Sequence, residues 1–94
     1  MSRSIAAHNL AVAEAAVVDL RNRVARLERD CVEVLRQYDA AEVAGDARTM
    51  RELSTLRTEI EADLADMPDR ITKAEQRRAA AVFAYTGTHE KESA

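Results

Sequence analysis

Apolar residues recur at two interleaved seven-residue spacings over the first half of the chain. The first row, which we call row a, contains Leu10, Val17, Val24, Cys31 and Tyr38. The second, row d, contains Ala13, Leu20, Leu27, Val34 and Ala41. A sustained alternation of three and four residues is the signature of a helix that packs in a coiled coil. The pattern therefore predicts one long helix over residues 4–42.

A second apolar stripe runs beside these rows on the same predicted helix, and it includes Val18, Val32 and Leu35. A helix whose apolar face is wider than a two-helix seam packs against more than one neighbour. We therefore expect these three residues to mediate self-association, so that the chain dimerises into a four-helix bundle.

A tight turn is predicted over residues 43–46. Gly45 suits the left-handed position that closes a helix, and Asp46 suits the cap that opens the next one. A second apolar stripe follows at helical spacing. It contains Met50, Leu53, Leu56, Ile60, Leu64 and Met67, and then Ile71, Ala74, either Ala81 or Val82, and Tyr85.

Pro68 interrupts this stripe, because proline lacks the N–H of a helix interior and clashes with the preceding turn. The second arm is therefore predicted to be kinked or broken there, with helices over 47–66 and 67–85 and a flexible polar tail over 86–94.

Two arms of similar length joined by a short turn fold back on each other, so the predicted fold is all-α, a single antiparallel helical hairpin of coiled-coil type. Residue i then lies near residue 88 − i, which places Cys31 near Arg57, Leu20 near Pro68 and Ile5 near Phe83. The preference for valine in row a and leucine in row d favours a parallel two-stranded zipper instead. We favour the hairpin because the turn leaves the second helix little choice but to fold back.

Composition and charge narrow the class of protein. The 94 residues amount to 10.4 kDa with a net charge of −3, and they include one cysteine. One cysteine excludes a disulfide scaffold, and no apolar run is long enough to span a membrane. The abundance of alanine and arginine is typical of GC-rich bacterial or phage genomes. We expect a cytoplasmic protein, in the host cytoplasm if the chain is encoded by a phage.

Two charged clusters have alternative interpretations. The arginines at 21, 23, 26 and 29 have the composition of a phosphate-binding patch, but interleaved acids indicate surface ion pairs, so we expect no nucleic-acid binding. The acids Glu59, Asp63 and Asp66 are candidates for binding a partner's arginine patch or a hard cation, whereas a solvated helix face is the simpler interpretation. The sequence carries no E-x-x-H motif, and we assign no catalytic residue, no cofactor site and no metal ligand.

The segment from Arg77 to Tyr85 is the other candidate surface. Arg77, Arg78, Phe83 and Tyr85 combine the residue types that dominate protein–protein hot spots. In the alternative interpretation, which we favour, the two aromatic residues close the open end of the bundle against Ile5 and Leu10. Both interpretations hold together if this plug is formed between two subunits.

In length, mid-chain turn and C-terminal tyrosine, the layout resembles the small W-x-G helical hairpins exported by type VII secretion. Its turn, Val43-Ala44-Gly45, lacks the tryptophan, and we assign no family. The expected function is non-enzymatic protein binding, as an adaptor, a chaperone or an inhibitor of a host protein complex. The alternatives are an assembly component of a virion or secretion machine and a nucleic-acid-associated regulator.

Overall fold

The computed structural model describes the backbone of residues 2–93 and the side chains of residues 2–87. Helix α1 spans Arg3–Ala44 and helix α2 spans Ala47–Ser93. The two helices pack as a hairpin, which confirms the predicted all-α fold. The Ser2 hydroxyl caps α1 by accepting a hydrogen bond of 3.2 Å from the backbone N–H of Ile5.

The exposure pattern of α1 confirms the two predicted rows. Every residue of rows a and d is buried or half-buried. Of the other α1 residues, only Ala6 is not exposed, and it extends row d by one heptad. The second apolar stripe, by contrast, has no cover within one chain: Val18 is 54 % exposed and Val32 is 68 % exposed.

Two adjacent residues, Gly45 and Asp46, form the turn between the helices. Gly45 has a φ of 71°, and its N–H donates to the carbonyl of Glu42 at 3.1 Å. The N–H of Asp46 donates to the carbonyl of Ala41 at 2.9 Å, which completes the Schellman arrangement at the end of α1. The Asp46 carboxylate then accepts hydrogen bonds from the Thr49 N–H at 3.1 Å and the Thr49 hydroxyl at 2.6 Å. Both predicted roles are confirmed.

The chain divides into two compact units, each containing part of both helices. The turn unit is Asn22–Pro68, and the terminal unit is Met1–Arg21 with Asp69–Ala94. The core of the turn unit is a cluster of Val34, Leu53, Ile60, Leu27, Cys31, Tyr38 and Leu64. In the terminal unit Ala6, Val17 and Ala74 are buried, and an ion pair of 2.5 Å joins Arg21 of α1 to Glu75 of α2.

In place of the predicted helices over 47–66 and 67–85, the structure has a single α2 with Pro68 inside it. Proline removes one hydrogen-bond donor, and the burial of Met67 and Ala74 on either side offsets that loss. Helix α2 also continues past the predicted end at 85 to Ser93. Flexibility of the segment 86–94 and a kink at Pro68 stay predictions; Ala94 and the side chains of 88–93 lie outside the described residues.

The apolar stripe of α2 differs from the predicted one at Leu56, and at a later position the structure decides between the two predicted alternatives. Leu56 is 42 % exposed. The positions of α2 that face α1 are spaced by alternating steps of three and four residues, and the position between Leu53 and Ile60 is that of Arg57 and not that of Leu56. At the later position Ala81 is half-buried, whereas Val82 is 43 % exposed.

Candidate protein-binding surfaces

One side of the turn unit brings apolar residues of α1 together with α2. A cavity of about 160 Å³ is lined by Val34, Leu35, Tyr38, Leu53, Ser54 and Arg57. Beside it on α1 lies a shallow hollow lined by Ala25, Glu28, Arg29 and Val32. We call the surface formed by Ala25, Glu28, Arg29, Val32, Leu35, Ser54 and Arg57 the Leu35 flank. Val32 and Leu35, predicted for self-association, therefore lie on one surface together with two residues of α2.

The other side of the turn unit is acidic. A hollow there is lined by Asp30, Glu33, Val34, Gln37, Leu56 and Ile60. Leu35 directly follows a row d residue and Gln37 directly precedes a row a residue, so the two lie on opposite sides of the seam. We call the surface formed by Asp30, Glu33, Gln37 and Leu56 the Leu56 flank.

Glu33 on the Leu56 flank is held by two residues of its own helix. Its carboxylate accepts hydrogen bonds from the Arg36 guanidinium at 2.6 and 2.9 Å and from the Gln37 amide at 3.0 Å. These bonds, with that of Arg36 first, lower the pKa of Glu33 to about 2. Glu33 follows Arg29 by four residues, the spacing of a helix-surface ion pair, but the structure pairs Glu33 with Arg36.

Arg57 occupies a seam position of α2 on the Leu35 flank. Its guanidinium donates to Glu61 at 2.8 Å, and this bond is the main reason that the pKa of Arg57 is raised. Cys31, on α1, packs against the cluster that contains Leu53 and Ile60, the residues of α2 on either side of Arg57. Cys31 and Arg57 therefore lie near each other, as the hairpin register predicts.

The acidic candidates of α2 lie on the solvated surface. Glu59, Asp63 and Asp66 are all exposed. Within the residues that the structure describes, no group of three or more histidine, cysteine, aspartate or glutamate side chains is arranged to hold a metal ion.

The four candidate residues of the C-terminal segment differ in their exposure to solvent. Phe83 is 83 % exposed. Arg77 is exposed, whereas Arg78 and Tyr85 are half-buried. An 83 % exposed side chain buries too little area to close the end of a bundle, and Ile5, its expected neighbour, is itself 54 % exposed. Within one chain, Phe83 therefore does not act as the predicted plug.

Arg77 lines an apolar groove of the terminal unit. The groove measures about 310 Å³ and is lined by Asn9, Val12, Ala13, Ala16, Ala74, Arg77 and Ala81. Apart from Ala13 of row d, the contribution of α1 comes from residues that the sequence pattern did not single out, because alanine and a single valine beside row d give only a weak apolar signal.

The fold is a helical hairpin, and the candidate binding surfaces described above are exposed faces of its helices. No known family model, no curated protein and no solved structure matches the chain significantly. In the part of the chain that the structure describes, neither helix contains a stretch apolar enough to cross a membrane.

Proposed function

We propose that this chain is a non-enzymatic protein-binding module, of the adaptor, chaperone or inhibitor type, which works through exposed apolar side chains on its helices. The observation that carries the proposal is the 83 % exposure of Phe83, the chain's single phenylalanine. Full burial of such a side chain in a complex contributes about 1.5–3 kcal/mol. Arginine at position 77 adds a residue type that is enriched with aromatics at hot spots.

Self-association is part of the proposal. Val18, Val32 and Leu35 are 54 %, 68 % and 38 % exposed in one chain, although their spacing is that of a helix-packing stripe. A second copy that covers them would form the four-helix bundle expected from the sequence. The partner bound through Phe83 is then a different protein, in keeping with a phage-encoded or bacterial chain that acts on a host protein complex.

Site-specific photocrosslinking tests the role of Phe83. A photoreactive amino acid replaces Phe83 in one variant and Gln76 in a matched control; Gln76 is exposed and lies one heptad earlier on α2. We expect the first variant to capture one dominant protein in cells of the source organism and the control not to capture it.

The captured protein, once purified, should bind the Phe83→Ala variant about 10- to 100-fold more weakly than the unmodified chain. Equal capture from both positions, or unchanged binding by Phe83→Ala, would refute the proposal. Capture of a repeating virion or secretion-apparatus subunit would favour the assembly role instead.

A further inference from the structure

We propose that the Leu35 flank of the turn unit is the surface that a second copy of this chain covers, leaving the Leu56 flank exposed to solvent. The inference rests on the self-association proposed above. It adds that the contact surface is formed by both helices, with Ser54 and Arg57 contributed by α2, and it identifies which side of the seam is used.

The surface area of the single chain favours a second copy as the occupant. One chain exposes 6778 Å². A folded monomer of this mass exposes about 5,400 Å² by the usual scaling of area with mass. The excess of about 1,400 Å² exceeds the roughly 800 Å² that each partner buries in an interface of standard size. The excess area of one chain is therefore large enough for a second copy to cover an interface of standard size.

The shape of the Leu35 flank suits a contact between identical surfaces. A two-fold interface is formed by the same patch on both copies, so the patch must carry both protruding side chains and the hollows that receive them. Val32 and Leu35 protrude, at 68 % and 38 % exposure. The hollow at Ala25 and the cavity beside Ser54 lie next to them.

Charge distinguishes the two flanks. On the Leu35 flank the charges are balanced: Glu28 stands beside Arg29, and Arg57 is already paired with Glu61. The hollow beside Leu56 is lined by Asp30 and Glu33, and the ion pair with Arg36 offsets only the charge of Glu33, so this flank keeps a net negative charge. Two copies that met through the Leu56 flank would bring like charges together, which disfavours association.

A pair of matched leucine substitutions tests the inference. Leu35 and Leu56 have almost the same exposure, 38 % and 42 %, and they lie on opposite flanks, so Leu35→Glu and Leu56→Glu disturb a single chain to a similar degree. Size-exclusion chromatography with light scattering gives the mass of each variant, and circular dichroism reports its helix content. We expect the unmodified chain and Leu56→Glu to have twice the 10.4 kDa mass of one chain.

Leu35→Glu should weaken the dimer by about 100-fold or more, because each substitution acts twice across a two-fold axis. If this variant loses its helix content, Val32→Glu decides the question, because Val32 is 68 % exposed and its replacement removes little packing within one chain. A monomeric unmodified chain at every soluble concentration would overturn both the proposed self-association and this inference. A dimer that resists both Leu35→Glu and Val32→Glu, or that Leu56→Glu dissociates, would overturn only the inference.

Discussion

Replacing Gly45 by alanine should destabilise the hairpin by about 1–2 kcal/mol, the cost of holding a residue with a Cβ atom in the left-handed region. Gly45 has a φ of 71°, and a Cβ atom built on it would meet nothing within 4 Å. The cost therefore comes from the backbone conformation alone and not from a clash. The chain cannot relax to a negative φ without losing the two hydrogen bonds that Gly45 and Asp46 donate to the end of α1.

The only other glycine in the chain provides a control of opposite sign. Gly87 lies within α2, it has no positive φ, and a Cβ atom there would also meet nothing within 4 Å. Gly87→Ala should therefore stabilise the chain, by up to about 1 kcal/mol, because alanine is the better helix former. Asparagine tolerates the left-handed region better than alanine does, so Gly45→Asn should lose less stability than Gly45→Ala.

Urea unfolding followed by far-UV circular dichroism measures all four proteins at one chain concentration, which is needed because self-association makes stability depend on concentration. The expected order of stability is Gly87→Ala, the unmodified chain, Gly45→Asn and Gly45→Ala. If Gly45→Ala were as stable as the unmodified chain, the turn between the helices would not require a left-handed conformation at residue 45.

Four further predictions follow from single side chains. Met67 is 2 % exposed, so Met67→Ala should cost about 2–5 kcal/mol in urea unfolding. Pro68→Ala should stabilise the chain, by up to about 3 kcal/mol, because it restores a hydrogen-bond donor inside α2; a loss of stability would contradict this. Because its pKa falls from 4.5 to about 2 in the folded chain, Glu33 contributes stability above pH 4.5 and loses it as the pH falls towards 2. Thermal melts should accordingly show Glu33→Gln less stable than the unmodified chain at neutral pH and equally stable below pH 2. Mild oxidation should give little Cys31-linked dimer on a non-reducing gel, because Cys31 faces α2 of its own chain; rapid crosslinking would indicate a parallel zipper.

Heptad spacing predicted the buried positions of α1 almost residue by residue. Burial of the side chains in rows a and d contributes more to the stability of this helix than the local conformational preference of any residue. Gly45 and Asp46 likewise have few conformational alternatives, so the turn was readable from two residues. In α2 the prediction selected Leu56 because it is apolar, whereas helix geometry placed Arg57 at the seam. An arginine can occupy such a position because it buries its methylene groups and keeps its guanidinium at the surface. A hydropathy scale counts the whole side chain as polar, so an apolar pattern does not include it.

The candidate surfaces were less predictable than the fold. An aromatic residue near the end of a helix satisfies the requirements of a core and of a binding surface equally well, so the sequence left two interpretations of Phe83 open. Its exposure of 83 % disfavours the core interpretation for a single chain. The α2 residues of the Leu35 flank were missed because Ser54 is small and polar. Such residues become part of a surface only through the relative rotation of the two helices.

The division of the chain into a turn unit and a terminal unit has a consequence for biosynthesis. The turn unit is continuous in sequence, so its helices can pair without either terminal segment of the chain. The terminal unit joins distant segments, as the ion pair between Arg21 and Glu75 across 54 positions shows. At about 5–20 residues per second, the N-terminal segment waits about 3–10 s for its partner to be synthesised. During that interval Ala6 and Val17, buried in the finished fold, are exposed on the growing chain.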